Sequence, residues 1–82
     1  MSKQDGIIKS TVAKMMRDAN QTGQLQQSGD WGDMEKRRHI AIWKDGDQWN
    51  IELNACGNEA TIEQGTDQDI YSHAVDFLRN AG

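Results

Sequence analysis

The first patterned stretch of the chain is helical. In IIKSTVAKMMRDA, residues 7–19, Ile8, Val12, Met15, Met16 and Ala19 recur at offsets of 4, 7, 8 and 11, which is one stripe of an α-helix. Asp5 stands before it as an N-cap candidate, with Gly6 behind. Residues 20–35 lose that period. Gln, Gly, Ser and Asn dominate them, and a polar loop this long in a small domain is usually functional or mobile. Trp31 lies near its end, where its ring either folds back onto the core or waits for a partner.

From residue 37 the period becomes two. Asp45-Gly46 is a hairpin signal of the type I′ kind, in which both central residues take positive φ. That turn pairs Trp43 with Gln48, Ile42 with Trp49, Ile40 with Ile51 and His39 with Glu52. Side chains alternate between faces, so Ile40, Ile42, Trp49, Ile51 and Leu53 share one face. His39, Ala41, Trp43, Gln48, Asn50 and Glu52 share the other. The two tryptophans therefore do different work, Trp49 inside and Trp43 on the polar face. A second turn at Gly57-Asn58 pairs Leu53 with Ile62 and Glu52 with Glu63, which puts Ile62 on the apolar face. The meander spans residues 37–64. Thr66 and Asp69 then make a capping box, and Ile70, Ala74, Phe77, Leu78 and Ala81 repeat the helical stripe over residues 66–81.

These elements predict an α+β two-layer sandwich in helix–three strands–helix order. The sheet is an antiparallel meander with both helices on its one apolar face. At 82 residues the chain is a single small domain, residues 1–82. It has no apolar run long enough to span a bilayer, and MSKQDGIIKS has no secretion-signal core. Its lone cysteine, Cys56, cannot close an internal disulfide. A cytoplasmic location is expected, the host cytoplasm if the gene is a phage's.

Charge is divided unevenly. Residues 1–44 hold eight basic and five acidic side chains, a net of +3; residues 45–82 hold one basic and eight acidic, a net of −7, and together they give the formal −4. An acidic half of this kind repels nucleic acid and attracts a basic protein surface. It is also what keeps many small domains soluble. The one basic run, Lys36-Arg37-Arg38, either forms an anion patch with Lys44 or guards an edge strand.

Little in the chain points to catalysis. No phosphate loop, dinucleotide motif or metalloprotease helix is present. His39, Glu52 and Glu63 would form a row across the open sheet face, but a flat face rarely closes a metal site, so no metal or other cofactor is expected. His73 sits between Asp69 and Asp76 on the last helix without a nucleophile beside it. Cys56 has no helix N-terminus or cation to activate it. An enzyme is not expected.

In topology, residues 7–81 resemble the double-stranded-RNA-binding domain. That family draws its phosphate contacts from a lysine-rich start of the last helix, where this chain reads TDQDIYSHAVD, so dsRNA binding does not carry over. The run from HIAIWKDGDQWNIEL to AVDFL is similar to the HicB type of antitoxin, which implies a partner-binding role. In size and acidity the chain resembles the inhibitors that phages and mobile elements make against host defences, anti-CRISPR proteins among them. That resemblance implies a non-enzymatic protein-binding module acting by steric block or acidic mimicry of nucleic acid. The candidate contact residues are Trp43, His39, Asn50, Glu52 and Glu63 on the open face, with Trp31 in the loop. Asp45, Asp47, Asp67, Asp69 and Asp76 would steer the encounter with a basic protein or complex. The alternative is a nucleic-acid-binding domain using Lys9, Lys14, Arg17 and Lys36 to Arg38, with a tryptophan stacked on bases. A homodimer through the free edge of strand one is a further expectation.

Overall fold

In a computed structural model, which describes residues 3–32, 36–55 and 59–81, the chain forms six elements. They are α1 (Lys3–Thr22), β1 (Gln26–Gln27), β2 (Arg38–Asp45), β3 (Gln48–Ala55), β4 (Thr61–Gly65) and α2 (Asp67–Arg79). The strands form one antiparallel sheet in the order β1-β2-β3-β4. Both helices pack on one face of it. Ile8, Val12, Met15 and Ala19 of α1 and Ile70, Ala74, Val75 and Leu78 of α2 enclose Ile40, Ile42, Trp49 and Ile51 of the sheet. The α+β sandwich read from the pattern is therefore the observed architecture, with a short fourth strand added at the β2 side.

α1 is longer than its apolar stripe. Asp5 is not its N-cap but lies inside the first turn, where its carboxylate accepts a 2.9 Å hydrogen bond from Arg79 Nε at the last turn of α2. The two helices therefore run antiparallel. At the other end the helix runs on to Thr22, whose hydroxyl donates to the Asp18 carbonyl at 2.7 Å; Gly23 N–H donates back to the Ala19 carbonyl and ends it. α2 begins as its sequence says. Thr66 accepts from Asp69 N–H, and the Asp69 side chain accepts from Thr66 N–H, completing the capping box.

The first hairpin turns one residue later than Asp45-Gly46. Asp45 pairs with Gln48, and Gly46 and Asp47 form the connection. Gly46 has φ +64° and, among the described residues, no non-glycine has positive φ, which is the type II′ pattern, with glycine first and an ordinary residue second. A type I′ turn would need Asp45 at positive φ. Moving the turn by one residue shifts the register by two positions, so each side chain keeps its face. Ile40 now faces Leu53 and Ile42 faces Ile51.

The second pairing differs more. Leu53 pairs with Thr61 and Glu52 with Ile62, one step from Leu53 with Ile62. One step inverts the strand. Ile62 therefore lies on the open face, 57% exposed, and Glu63 lies on the helix side opposite Ile51. The Gly57-Asn58 turn and Cys56 lie outside the described residues. Gly65 stands opposite Trp49 at the start of α2, and a Cβ there would lie 2.8 Å from Asp69 Oδ2 and 2.9 Å from Asp69 Cβ, so a side chain at this joint would crowd the capping box.

The loop after α1 is partly structured. Gln26 and Gln27 pair with Ile42 and Ala41. Ser28 N–H donates to the Ile40 carbonyl and Ser28 Oγ accepts from Ile40 N–H, both at 3.0 Å. Trp31 and Arg38 exchange two backbone hydrogen bonds of 2.7 Å. The outer edge of β2 is thus occupied from Arg38 to Ile42, and β1 rather than β2 is the edge strand on this side.

Gly65→Ala is expected to lower stability by about 1–3 kcal/mol through this overpacking. Urea denaturation followed by tryptophan fluorescence measures it.

Candidate functional site

The side of the sheet away from the helices carries Gln27 from β1 and His39, Ala41, Trp43 and Asp45 from β2. It carries Gln48, Asn50, Glu52 and Asn54 from β3, and Ile62 and Gln64 from β4. No described element packs on it. It carries charge at Asp45 at the hairpin tip, at Glu52, whose Oε1 accepts a 2.8 Å hydrogen bond from Asn54 Nδ2, and around His39, where Asp30 lies 3.4 Å from the imidazole and 3.8 Å from Arg37. Between them Trp43, Asn50 and Gln64 form an uncharged cross-strand row. The core of a protein–protein interface is depleted of charge and enriched in aromatic residues.

Trp43 stands near the middle of this face, in a cross-strand row with Asn50 and Gln64. It is partly exposed. Asn50 beside it is buried, flanked by Trp43 and Gln64, and donates its amide to the Gln48 carbonyl at 3.3 Å. A second row runs Gln27, Ala41, Glu52, Ile62. Trp43 and Ile62 thus supply two apolar contact points in a field of amides. Lys44 is not near Trp43. It lies on the helix side, where its ammonium sits 5.4 Å over the Trp49 ring and donates to Asn20 at 3.0 Å.

Of the residues read from sequence, His39, Trp43, Asn50 and Glu52 share this face. Glu63 does not. Its inversion removes the His39–Glu52–Glu63 row, and His39 pairs with Asn54 rather than Glu52. The imidazole instead sits 3.4 Å from the Asp30 carboxylate. Trp31 is not a free contact; it packs, partly buried, against the core. Asp45 and Asp47 at the hairpin tip lie at the same end of the sheet as Asp67 and Asp69, because β4 leaves the Trp49–Gly65 pair directly into α2. Asp69 is engaged in the cap and Asp76 in an ion pair with Arg79 of 3.5 Å.

The basic run is dispersed. Arg37 pairs with Asp30 at 3.8 Å. Arg38 turns to the helix side, stacks 4.6 Å from the Phe77 ring centroid and donates to the Phe77 carbonyl. There it meets the negative end of the α2 dipole. Arg17 lies 4.0 Å from Asp18. Among the described residues no three His, Cys, Asp or Glu side chains converge as metal ligands. A shallow groove between the helices, lined by Met16, Asp67, Gln68 and Tyr71, brings no nucleophile and base together. Among the described residues no helix is long and apolar enough to cross a membrane. The sequence did not point to Ile62 and Gln64 because pairing through a Gly57-Asn58 turn puts both on the apolar face, one position from the observed register.

No protein-family model, curated protein or solved structure matches this chain.

The two hairpin tryptophans should separate in stability. Trp49→Ala is expected to cost about 3–5 kcal/mol, as for a core aromatic. Trp43→Ala should cost about 1 kcal/mol or less, and paired urea titrations distinguish them.

Proposed function

We propose that this chain is a non-enzymatic protein-binding module that docks a partner on its open sheet face. The observation that carries the reading is Trp43, partly exposed in an uncharged cross-strand row with Asn50 and Gln64 on the sheet face that neither helix covers. Trp43 is the anchor, since tryptophan is enriched among the few residues that dominate binding energy. Ile62 and the amides of Gln48, Asn54 and Gln64 are the surrounding contacts, with buried Asn50 and Ala41 as the floor between them.

The partner carries a basic surface. Asp45 and Asp47 rim the face at the hairpin end, with Asp67 and Asp69 close behind. Such a cluster raises the encounter rate with a cationic protein more than it raises affinity. A small inhibitor of a host defence complex, made by a phage or mobile element, would use the face in this way. Its mode would be steric block by the neutral surface, with the acidic end as the steering element.

A photo-crosslinking residue at Gln64, with a control at Lys14 on α1, tests the face. The Gln64 probe is expected to capture one protein. Trp43→Ala, folded by circular dichroism, should bind that purified protein at least about tenfold more weakly, as for a hot-spot truncation. Capture through Lys14 alone, or equal binding by Trp43→Ala, contradicts the reading.

A further inference from the structure

The two edges of the sheet are finished differently. At the β2 side, Gln26, Gln27, Ser28 and Trp31 take up the outward groups of residues 38–42. At the other side β4 is the last strand, and among the described residues nothing pairs with its outer edge. A five-residue edge with unpaired N–H and C=O groups is a template for another strand. Ile62 on this edge is the most exposed large apolar side chain of those described, at 57%. Glu63 follows it on the helix side, half-buried and opposite Ile51.

Charge selects the occupant. Residues 59–69 read EATIEQGTDQD, with carboxylates at Glu59, Glu63, Asp67 and Asp69 and no lysine or arginine. A second copy of this chain, paired antiparallel about Glu63, would set Glu63 against Glu63, and like charges directly opposite are destabilising. A strand with a basic residue opposite Glu63 and an apolar residue opposite Ile62 satisfies both positions at once.

We propose that the free edge of β4 accepts an extended segment of a partner protein as a fifth strand, a segment that alternates apolar and basic side chains. The main chain of Thr61–Gly65 supplies the ladder, Ile62 the apolar contact and Glu63 the selection for a cation, which is the usual division of labour in strand addition. The inference extends a protein-binding role to the edge that borders the open face; it shares Ile62 with that face and does not need Trp43. Trp43→Ala therefore leaves it unchanged, and the two readings fail separately.

The probe is a capped ten-residue peptide alternating valine and lysine, with a valine–glutamate peptide as control. Binding to the full chain is followed by amide exchange and by calorimetry. Every second amide within residues 61–65 should exchange fast in the free protein and become protected with the lysine peptide, and not with the glutamate peptide. Methylating the backbone nitrogens of all valines, or of all lysines, blocks one edge of the peptide each time. One of the two methylated peptides should bind at least about tenfold more weakly and the other within about threefold, since only one edge joins the ladder. Glu63→Gln should weaken binding about threefold and flatten its salt dependence, the scale of a half-exposed charge pair. Equal effects of the two methylations overturn the proposal, as does no binding, or protection spread evenly over the sheet. A dimer seen by sedimentation without peptide, with the same alternate protection, overturns it in favour of a second copy.

Discussion

Burial of one sheet face beneath two helices is the constraint on which the rest of this molecule depends. Ile40, Ile42 and Ile51 are completely buried between β2, β3 and the helical layer, as are Val12, Ile70, Ala74 and Leu78. A chain of this size buries only about 60% of its unfolded surface, and both amphipathic helices are used to cover one side. The opposite side is left to solvent by the architecture. Trp43 stands there in an uncharged cross-strand row with Asn50 and Gln64, the feature on which the proposed partner contact rests.

The joints that hold the layers are few and specific. Arg38 ties the start of β2 to the end of α2 by stacking on Phe77 and bonding its carbonyl. Arg79 ties the same end of α2 to the first turn of α1 through Asp5, whose side chain is only 16% exposed. Arg79 is largely solvated, so that pair contributes about 1 kcal/mol or less. Ser28 contributes differently. Its hydroxyl replaces a backbone acceptor for Ile40 N–H and so closes an edge that a two-residue strand could not close alone. The β2 edge is thereby covered from within the chain over residues 38–42, while among the described residues nothing pairs with the outer side of β4.

The sequence announced the helices, the capping box of α2 and the apolar face of the first hairpin, because each rests on several residues repeating one period. Ile8, Val12, Met15 and Ala19 sustain a stripe through three turns, and a register error of two positions left the β2–β3 faces intact. It did not announce the β3–β4 register. Ile62 alternates as a buried residue would, and a two-residue turn at Gly57-Asn58 pairs it with Leu53; the observed pairing sets it one position away, opposite Glu52. β1 was illegible because two glutamines carry no period; the unmet hydrogen bonds of β2 select them. Of the candidate contact residues, those on β2 and β3 were legible for the same reason as the core, being its alternate positions. Glu63 was misplaced and Ile62 missed by the single inverted strand.

The composition of the open face, and the edge beside it, both follow from the inversion of β4. Nuclear Overhauser contacts across β3 and β4 test it most directly. Backbone contacts linking Glu52 with Ile62 and Leu53 with Thr61 are the expected result, with Ile62 side-chain contacts to the open-face residues and none to α2. Backbone contacts linking Leu53 with Ile62 and Glu52 with Glu63 would turn Ile62 into the core, place Glu63 on the open face, and contradict the account.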